Sequence, residues 1–276
     1  MNISSLLRNS IAIIIMSLAI AGCFNQDGKT KIVIVGSTTI QPIIENIVES
    51  YQPANPDVTL YIQGGGSSVG ISSVSRGMAQ IGMVSRKLKG DEQNLSSTVL
   101  AYDGIALIVH ESNPIKSLTA EQVKMIYSGK IKNWAALSNN NAPITVISKE
   151  EGRGTRSIFD SFFKLKGQII AGAIVIGPNG QAIVTTAGNP NAIAYVSINA
   201  AIQAQKLGTP IILVALDGIQ PTTSNVTSGT YPLQRELLLV TKGKNSEPVQ
   251  KFIDYVLGNH GKSVIVELGF TPRTSN

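Results

Sequence analysis

One cysteine and two histidines in a chain of 276 residues exclude more chemistry than they suggest. With Cys23 as the only thiol, no internal disulfide can form. His110 and His260 stand far apart, and no tight Asp/Glu cluster accompanies them, so the ligand spacing of a transition-metal site is missing. Charged residues make up 14% of the chain, and the net charge of +6 comes from scattered pairs such as Arg86/Lys87, Lys130/Lys132, Lys164/Lys166 and Lys242/Lys244. Without aromatics between them, such pairs do not make a nucleic-acid surface. A mildly basic field instead draws small anions to a cleft. No internal repeat, heptad pattern, low-complexity tract or like-charge run occurs, which sets aside solenoids and coiled coils. What is plentiful is apolar residues, 43% of the chain, enough to bury the core of one large domain or two small ones.

The N-terminus is specific. Arg8 precedes an apolar run from Ile11 to Ile20, followed by Ala21-Gly22-Cys23. Ten residues are too few to span a bilayer but suit the apolar region of a signal peptide. A cysteine directly after small residues resembles the lipobox of bacterial lipoproteins; the alternative is an ordinary signal peptide followed by a chance cysteine. The expectation is a signal peptide over 1–22, lipidation at Cys23, a tether over 23–30, and an extracytoplasmic protein held at the membrane by its lipid.

Beyond the tether one unit recurs: apolar strand, Gly- and hydroxyl-rich turn, amphipathic helix. Ile32 to Val35 reads as a strand, Gly36-Ser37-Thr38-Thr39 as the turn, and Ile40, Ile43, Ile44, Ile47, Val48 and Tyr51 as a helical stripe. Pro42 suits its first turn, and Pro53 and Pro56 are expected to stop it. Val58 to Gln63, the turn Gly64 to Gly70, and the stripe Ile71, Val74 and Met78 repeat the pattern, and Gln80 to Val84 adds a strand. A third copy runs through Ile144 to Ile147, the turn Lys149 to Thr155, and Ile158, Phe159 and Phe162. Helices are also expected over about 119–128, from Pro178, after Ser246 and near Lys262 to Leu268, and strands over 192–196 and 237–240. Strands alternating with helices predict an α/β fold with mainly parallel sheet, in which ligands gather beyond the C-terminal strand ends. The order suggests two lobes, 31–107 with 236–276 and 108–235, joined by two crossing strands with a ligand cleft between them.

Those turns supply donors for an oxyanion: hydroxyls of Ser37, Thr38, Thr39, Ser67, Ser68 and Ser85, backbone N–H groups, and the charges of Arg86, Lys149, Arg153 and Arg156. Each hydroxyl is equally explained as a helix cap, but caps do not require the glycines beside them. Catalysis finds less support. Gly66-Ser67-Ser68-Val69-Gly70 matches a hydrolase nucleophile elbow by letter, yet neither His110 nor His260 has a local claim to be its base. Gly261-Lys262-Ser263 resembles the end of a phosphate-binding loop whose first glycine would fall at Val256, within a helix.

Several motifs in matching order resemble the phosphate-binding proteins of phosphate ABC transporters: Gly36–Pro42, Gly64–Gly70, Ile81–Arg86, Tyr127–Trp134, Glu151–Arg156, Ala192–Val196 and Tyr231-Pro232-Leu233. The resemblance implies a type II periplasmic-binding-protein fold, inorganic phosphate clamped between two α/β lobes, and delivery to the permease and ATPase subunits of an ABC transporter by a monomer that needs no cofactor. It implies Ser37, Thr38, Thr39, Ser67, Ser85, Arg153, Gly154 and Thr155 as phosphate-binding residues, with Ser68, Arg86, Lys149 and Arg156 in support. The best-known members carry an Asp where this chain has Ser85, an Arg where it has Lys149 and a Ser where it has Arg153. An acceptor for the anion's proton selects phosphate against sulfate, and a hydroxyl repels sulfate less than a carboxylate does. Another tetrahedral oxyanion, sulfate or molybdate, is therefore the alternative ligand. A sensor or adhesin on the same fold is the alternative role.

Overall fold

The computed structural model describes residues 29–273, so Cys23 and the expected signal segment lie outside the described residues. β1 (Thr30–Gly36), α1 (Gln41–Ala54), β2 (Val58–Gly64), α2 (Ser67–Ser75) and β3 (Ile81–Val84) open the chain in alternation. β1 lies between β2 and β3, parallel to both. Strands covered on both faces must be apolar on both. Ile32 and Ile34 share a core with Ile43, Ile44, Ile47 and Tyr51 of α1, while Val35 joins Ile71 and Val74 of α2 on the other face. Two expectations need correction. Pro53 lies inside α1, at its next-to-last residue: it removes one helical hydrogen bond, and the helix ends one residue later at Ala54. Met78 lies beyond the end of α2 and is exposed rather than buried.

The fifteen residues of β4 (Ser96–His110) cross the molecule. Residues 96–104 pair antiparallel with β10 (Gln234–Thr241), and from Ile105 onward β4 pairs with β8 (Ala192–Ser197) and β9 (Ile211–Leu216). One strand thus belongs to two sheets. Beyond it come β5 (Ser117–Leu118), α3 (Ala120–Tyr127), β6 (Thr145–Lys149), α4 (Gly154–Phe162), β7 (Ile174–Ile176) and α5 (Asn179–Ala187). α6 (Ile198–Lys206) links β8 to β9, and α7 (Thr223–Thr227) precedes β10. α8 (Glu247–Leu257), α9 (Asn259–Glu267) and β11 (Thr271–Pro272) close the described chain. The strand order is β2-β1-β3-β10-β4-β8-β6-β7. Pairing is parallel among β1, β2 and β3 and among β6, β7 and β8, and antiparallel where β4 and β10 cross.

The fold is therefore the expected one, two α/β lobes joined by crossing strands. Their cores are separate: one unites Ile32, Ile47, Leu237 and Phe252, another Leu107, Tyr127, Trp134, Phe159 and Tyr195. Local signals performed as chemistry predicts. Thr119 and Gln122 form a reciprocal capping box at the start of α3, and Gly129 turns the chain after it with φ +76°. β7, α6, β9, α7 and the first half of β4 were not anticipated. The sequence of α6, Ile-Asn-Ala-Ala-Ile-Gln-Ala-Gln-Lys, carries only a thin apolar stripe, and β4 opens with Ser96-Ser97-Thr98.

Gly36 is where backbone freedom matters most. It has φ +142°, and a Cβ there would strike the carbonyl oxygen of Met83. Gly36→Ala is expected to cost about 2 kcal/mol or more, by strain and by displacement of β3. Chemical denaturation checks this, and an unchanged midpoint would refute it.

Candidate functional site

Three strands end at one place between the lobes. After β1, Ser37 donates its N–H to the Met83 carbonyl at 2.8 Å, and its Oγ accepts the Thr39 N–H at 3.2 Å. The Gly36 carbonyl accepts the N–H groups of both Gly65 and Gly66 at 2.9 Å, which packs the turn after β2 onto the turn after β1. This places Ser67 at the first position of α2, fully buried, its Oγ accepting the Ser85 N–H at 3.0 Å. The two hydroxyls, Ser67 and Ser85, stand 3.3 Å apart. From the other lobe the start of α4 closes over them. A Cβ on Gly154 would strike Ser85 Oγ and lie 2.6 Å from Ser67 Oγ, so only a glycine lets that helix N-terminus come this near.

Arg235 joins the two sides. Its side chain is fully buried, and all five of its N–H donors are used. Nε and Nη2 donate to Asp103 Oδ2 at 3.1 and 2.7 Å, Nη1 to Thr155 Oγ1 at 2.8 Å and Ser85 Oγ at 3.4 Å, and Nη2 also to Thr39 Oγ1 at 3.1 Å. Thr39 Oγ1 also accepts from Asn179 Nδ2 at 3.1 Å, at the start of α5. A hydroxyl whose oxygen accepts from a guanidinium must point its own proton elsewhere. Arg235 thereby turns Thr39 and Thr155 into donors, the polarity an anion needs, while Ser85, 3.3 Å from Ser67 Oγ, can give its own proton to that oxygen and keep a lone pair as acceptor.

Asp103 stands behind the guanidinium. Its Oδ1 accepts from Ser197 Oγ at 3.0 Å and from Asn199 Nδ2 at 3.5 Å. Burial pushes its carboxyl above the ordinary value, and Arg235 pulls it back. With Arg235, Ser197 and Asn199 around it, this carboxylate is committed within the protein. The proton acceptor available in the cradle is the hydroxyl of Ser85.

The structure brings Ser37, Thr39, Ser67, Ser85, Gly154 and Thr155 together; Thr38, half-buried, sits in the same turn between Ser37 and Thr39. Arg153 lies beside Gly154, but its guanidinium turns to Glu150 at 2.6 Å. Lys149 is buried, with Nζ donating to the carbonyls of Pro178 at 2.9 Å and Gly177 at 3.3 Å. Burial, and then the charges of Arg153 and Arg235, lower its amine to about 7. Arg86 pairs with Glu92, and Arg156 with Asp160, both away from the cradle hydroxyls. Ser68 Oγ accepts from Arg86 Nη2, whereas His110 bonds Ser112 and His260 bonds Ser50, so no imidazole serves Ser68 as a base. Among the described residues no group of His, Cys, Asp and Glu could hold a metal, and no helix is long and apolar enough to cross a membrane.

Asp103, Asn179 and Arg235 escaped the reading of the sequence. The available signal was Asp103 itself, one carboxylate in the otherwise apolar stretch Val99–Val109, because a buried charge demands a partner.

The chain is similar to known proteins over most of its length. The model of a family described as PBP superfamily domain matches residues 25–260. The phosphate-binding protein PstS of Borreliella burgdorferi is 30% identical over 258 residues, 90% of this chain and 92% of that protein. PstS of Bacillus subtilis is 29% identical over 88% of this chain and 81% of its own length. A crystal structure of a putative phosphate ABC transporter substrate-binding protein from Clostridium perfringens, with bound phosphate, superimposes with a TM-score of 0.83 at 36% identity, covering 89% of this chain and all of that one. An ABC-type phosphate transport receptor from Vibrio cholerae gives 0.73 at 30% identity, covering 88% of this chain and all of the other.

Breaking the buried pair from one side leaves an uncompensated charge. Asp103→Leu is expected to cost about 3–5 kcal/mol, and Asp103→Leu combined with Arg235→Met far less than the sum of the two single changes. Urea denaturation of the four proteins measures the coupling, and additive losses would refute it.

Proposed function

The chain belongs to the PBP superfamily, among the phosphate-binding proteins of phosphate ABC transporters, and on that footing we propose that it binds inorganic phosphate in the interlobe cradle and delivers it to the transporter's membrane subunits. The observation that carries this reading is the convergence on Arg235 of hydroxyls from both lobes, Thr39 and Ser85 from one and Thr155 from the other. The ligands in this reading are Ser37, Thr38, Thr39, Ser67, Ser85, Gly154 and Thr155, with the backbone N–H of Arg153. Lys149 supplies positive charge from behind. No catalytic step is included, since Ser68 lacks a base.

Capture proceeds by hinge closure. One lobe comprises 31–107 with 236–276, the other 108–235, a division supported by the separate cores and by the change of strand partners after Gly104. Closure brings the N-terminus of α4 onto Ser67 and Ser85 and excludes water, which strengthens every donor around the anion. The protein acts as a monomer outside the cytoplasm, anchored by lipid at Cys23. The sequence Ile20-Ala21-Gly22-Cys23 supports the anchor, and loss of labelled-lipid incorporation in Cys23→Ala tests it. Selection against sulfate rests on Ser85 Oγ accepting the proton that phosphate carries and sulfate lacks.

Calorimetric titration of residues 24–276 with an anion panel tests the ligand. Phosphate is expected to bind, and Ser67→Ala and Thr155→Ala each to weaken it about tenfold or more, the worth of a hydrogen bond to a charged group. Heat with sulfate or molybdate and none with phosphate would overturn the assignment.

Lys149 generates a pH test. In this reading opening the cleft returns water to the amine and moves it up toward its ordinary value, whereas the closed empty form holds it at about 7. The closed empty form therefore carries fewer protons above about 7, and raising the pH favours it. Small-angle scattering of the anion-free protein is expected to show increasing compaction from neutral pH upward. Lys149→Met should remove that dependence, and an identical profile in the variant would refute it.

A further inference from the structure

Asn179 is the first residue of α5, and its side chain leaves its own lobe. Nδ2 donates to Thr39 Oγ1 at 3.1 Å, in a buried bond that crosses the cleft and joins residues 140 apart in the chain. Asn179 is 6% exposed and Thr39 5%. The segment carrying Asn179 is held from behind. Lys149 Nζ donates to the carbonyls of Gly177 and Pro178 at 3.3 and 2.9 Å, and the Gly177 N–H donates to Gln181 Oε1 at 3.2 Å. Ala182, Ile183 and Thr186 then bury one side of the helix. The neighbouring cavity of about 720 Å³ offers no such device. Arg86, Arg156 and Arg235 on its walls are ion-paired, and its lysines stand among Glu151, Asp160 and Glu236.

A threonine hydroxyl has one proton and two lone pairs. Arg235 Nη2 fills one lone pair of Thr39 Oγ1 from the crossing strand, at 3.1 Å, and Asn179 fills the other from the opposite lobe. Among the described residues no protein acceptor takes the Thr39 proton, which is left for a ligand. When the lobes part, α5 withdraws and water reaches the second lone pair, so the hydroxyl accepts as readily as it donates. Closure thus completes a donor as well as excluding water. An amide does this without adding charge.

We propose that Asn179 is a positioning residue for anion capture: it acts through Thr39, not on the anion, and locks that hydroxyl as a donor only when the lobes are closed. This deepens the phosphate reading above and rests on it. A group that works only in the closed state slows the anion's escape and leaves its entry unchanged.

Calorimetry measures phosphate affinity, a rapid-filtration chase of labelled phosphate measures release, and the two together give the association rate. Asn179→Ala is expected to release phosphate about three- to tenfold faster, the worth of one hydrogen bond, with association unchanged. In a Thr39→Val background, which keeps the bulk but has no lone pair, the same substitution should cause no further loss. Asn179→Asp keeps the size and suits a helix start, yet a carboxylate takes the Thr39 proton in place of donating to its oxygen. It should weaken binding at least as much as Asn179→Ala. Unchanged affinity in both variants, slower association in place of faster release, or an equal loss with and without the Thr39 hydroxyl would each overturn the role of Asn179 alone. A parent that binds no phosphate would overturn the cradle reading and this proposal with it.

Discussion

A single buried ion pair organises the centre of this protein. Asp103 and Arg235 lie on the two strands that cross between the lobes, and neither side chain is exposed. Burying two charges is costly, and their mutual attraction repays it only when every remaining donor and acceptor is satisfied. Here the satisfaction is complete for the guanidinium, and its outward bonds go to both lobes. The pair thus specifies an arrangement more than it adds stability. It fixes which way the hydroxyls of Thr39 and Thr155 point.

Around that pair the fold supplies donors cheaply. Helices α2 and α4 begin at the cradle, so their first N–H groups need partners in any case. Gly36, Gly66 and Gly154 allow close approach of backbone where a side chain would collide. Ring stacking of Phe159 on Tyr195, with centroids 3.8 Å apart, anchors α4 to β8. The Tyr195 hydroxyl in turn accepts the Lys149 N–H at 3.1 Å, fixing the end of β6. Rigid packing far from the anion thereby holds the groups that would meet it.

Charge in the cleft is partitioned. The cradle relies on hydroxyls and backbone N–H groups with one guanidinium held behind them, while most of the long cationic side chains point into the neighbouring cavity. The motif Ser85-Arg86 splits across this divide, since successive residues after a strand point in opposite directions. Arg153-Gly154-Thr155-Arg156 splits in the same way: Gly154 and Thr155 line the cradle, and both arginines pair with carboxylates on their own lobe.

Much of this protein was legible in its residues. Apolar period and glycine position are short-range, so β1 with α1, the capped α3, and the turns carrying Ser37, Ser67 and Thr155 could be read directly. Weakly patterned elements such as α6 could not, because their stability comes from packing and not from their own stripe. The centre of the site was not legible either. Asp103 and Arg235 are 132 residues apart, and Asn179 meets Thr39 across 140. Only the register of β4 against β10, and the closing of one lobe on the other, brings them together. Local sequence determined where hydroxyls and N–H groups would be offered; tertiary structure decided which charge would turn them toward a ligand, because an ion pair between crossing strands leaves no periodic trace along the chain.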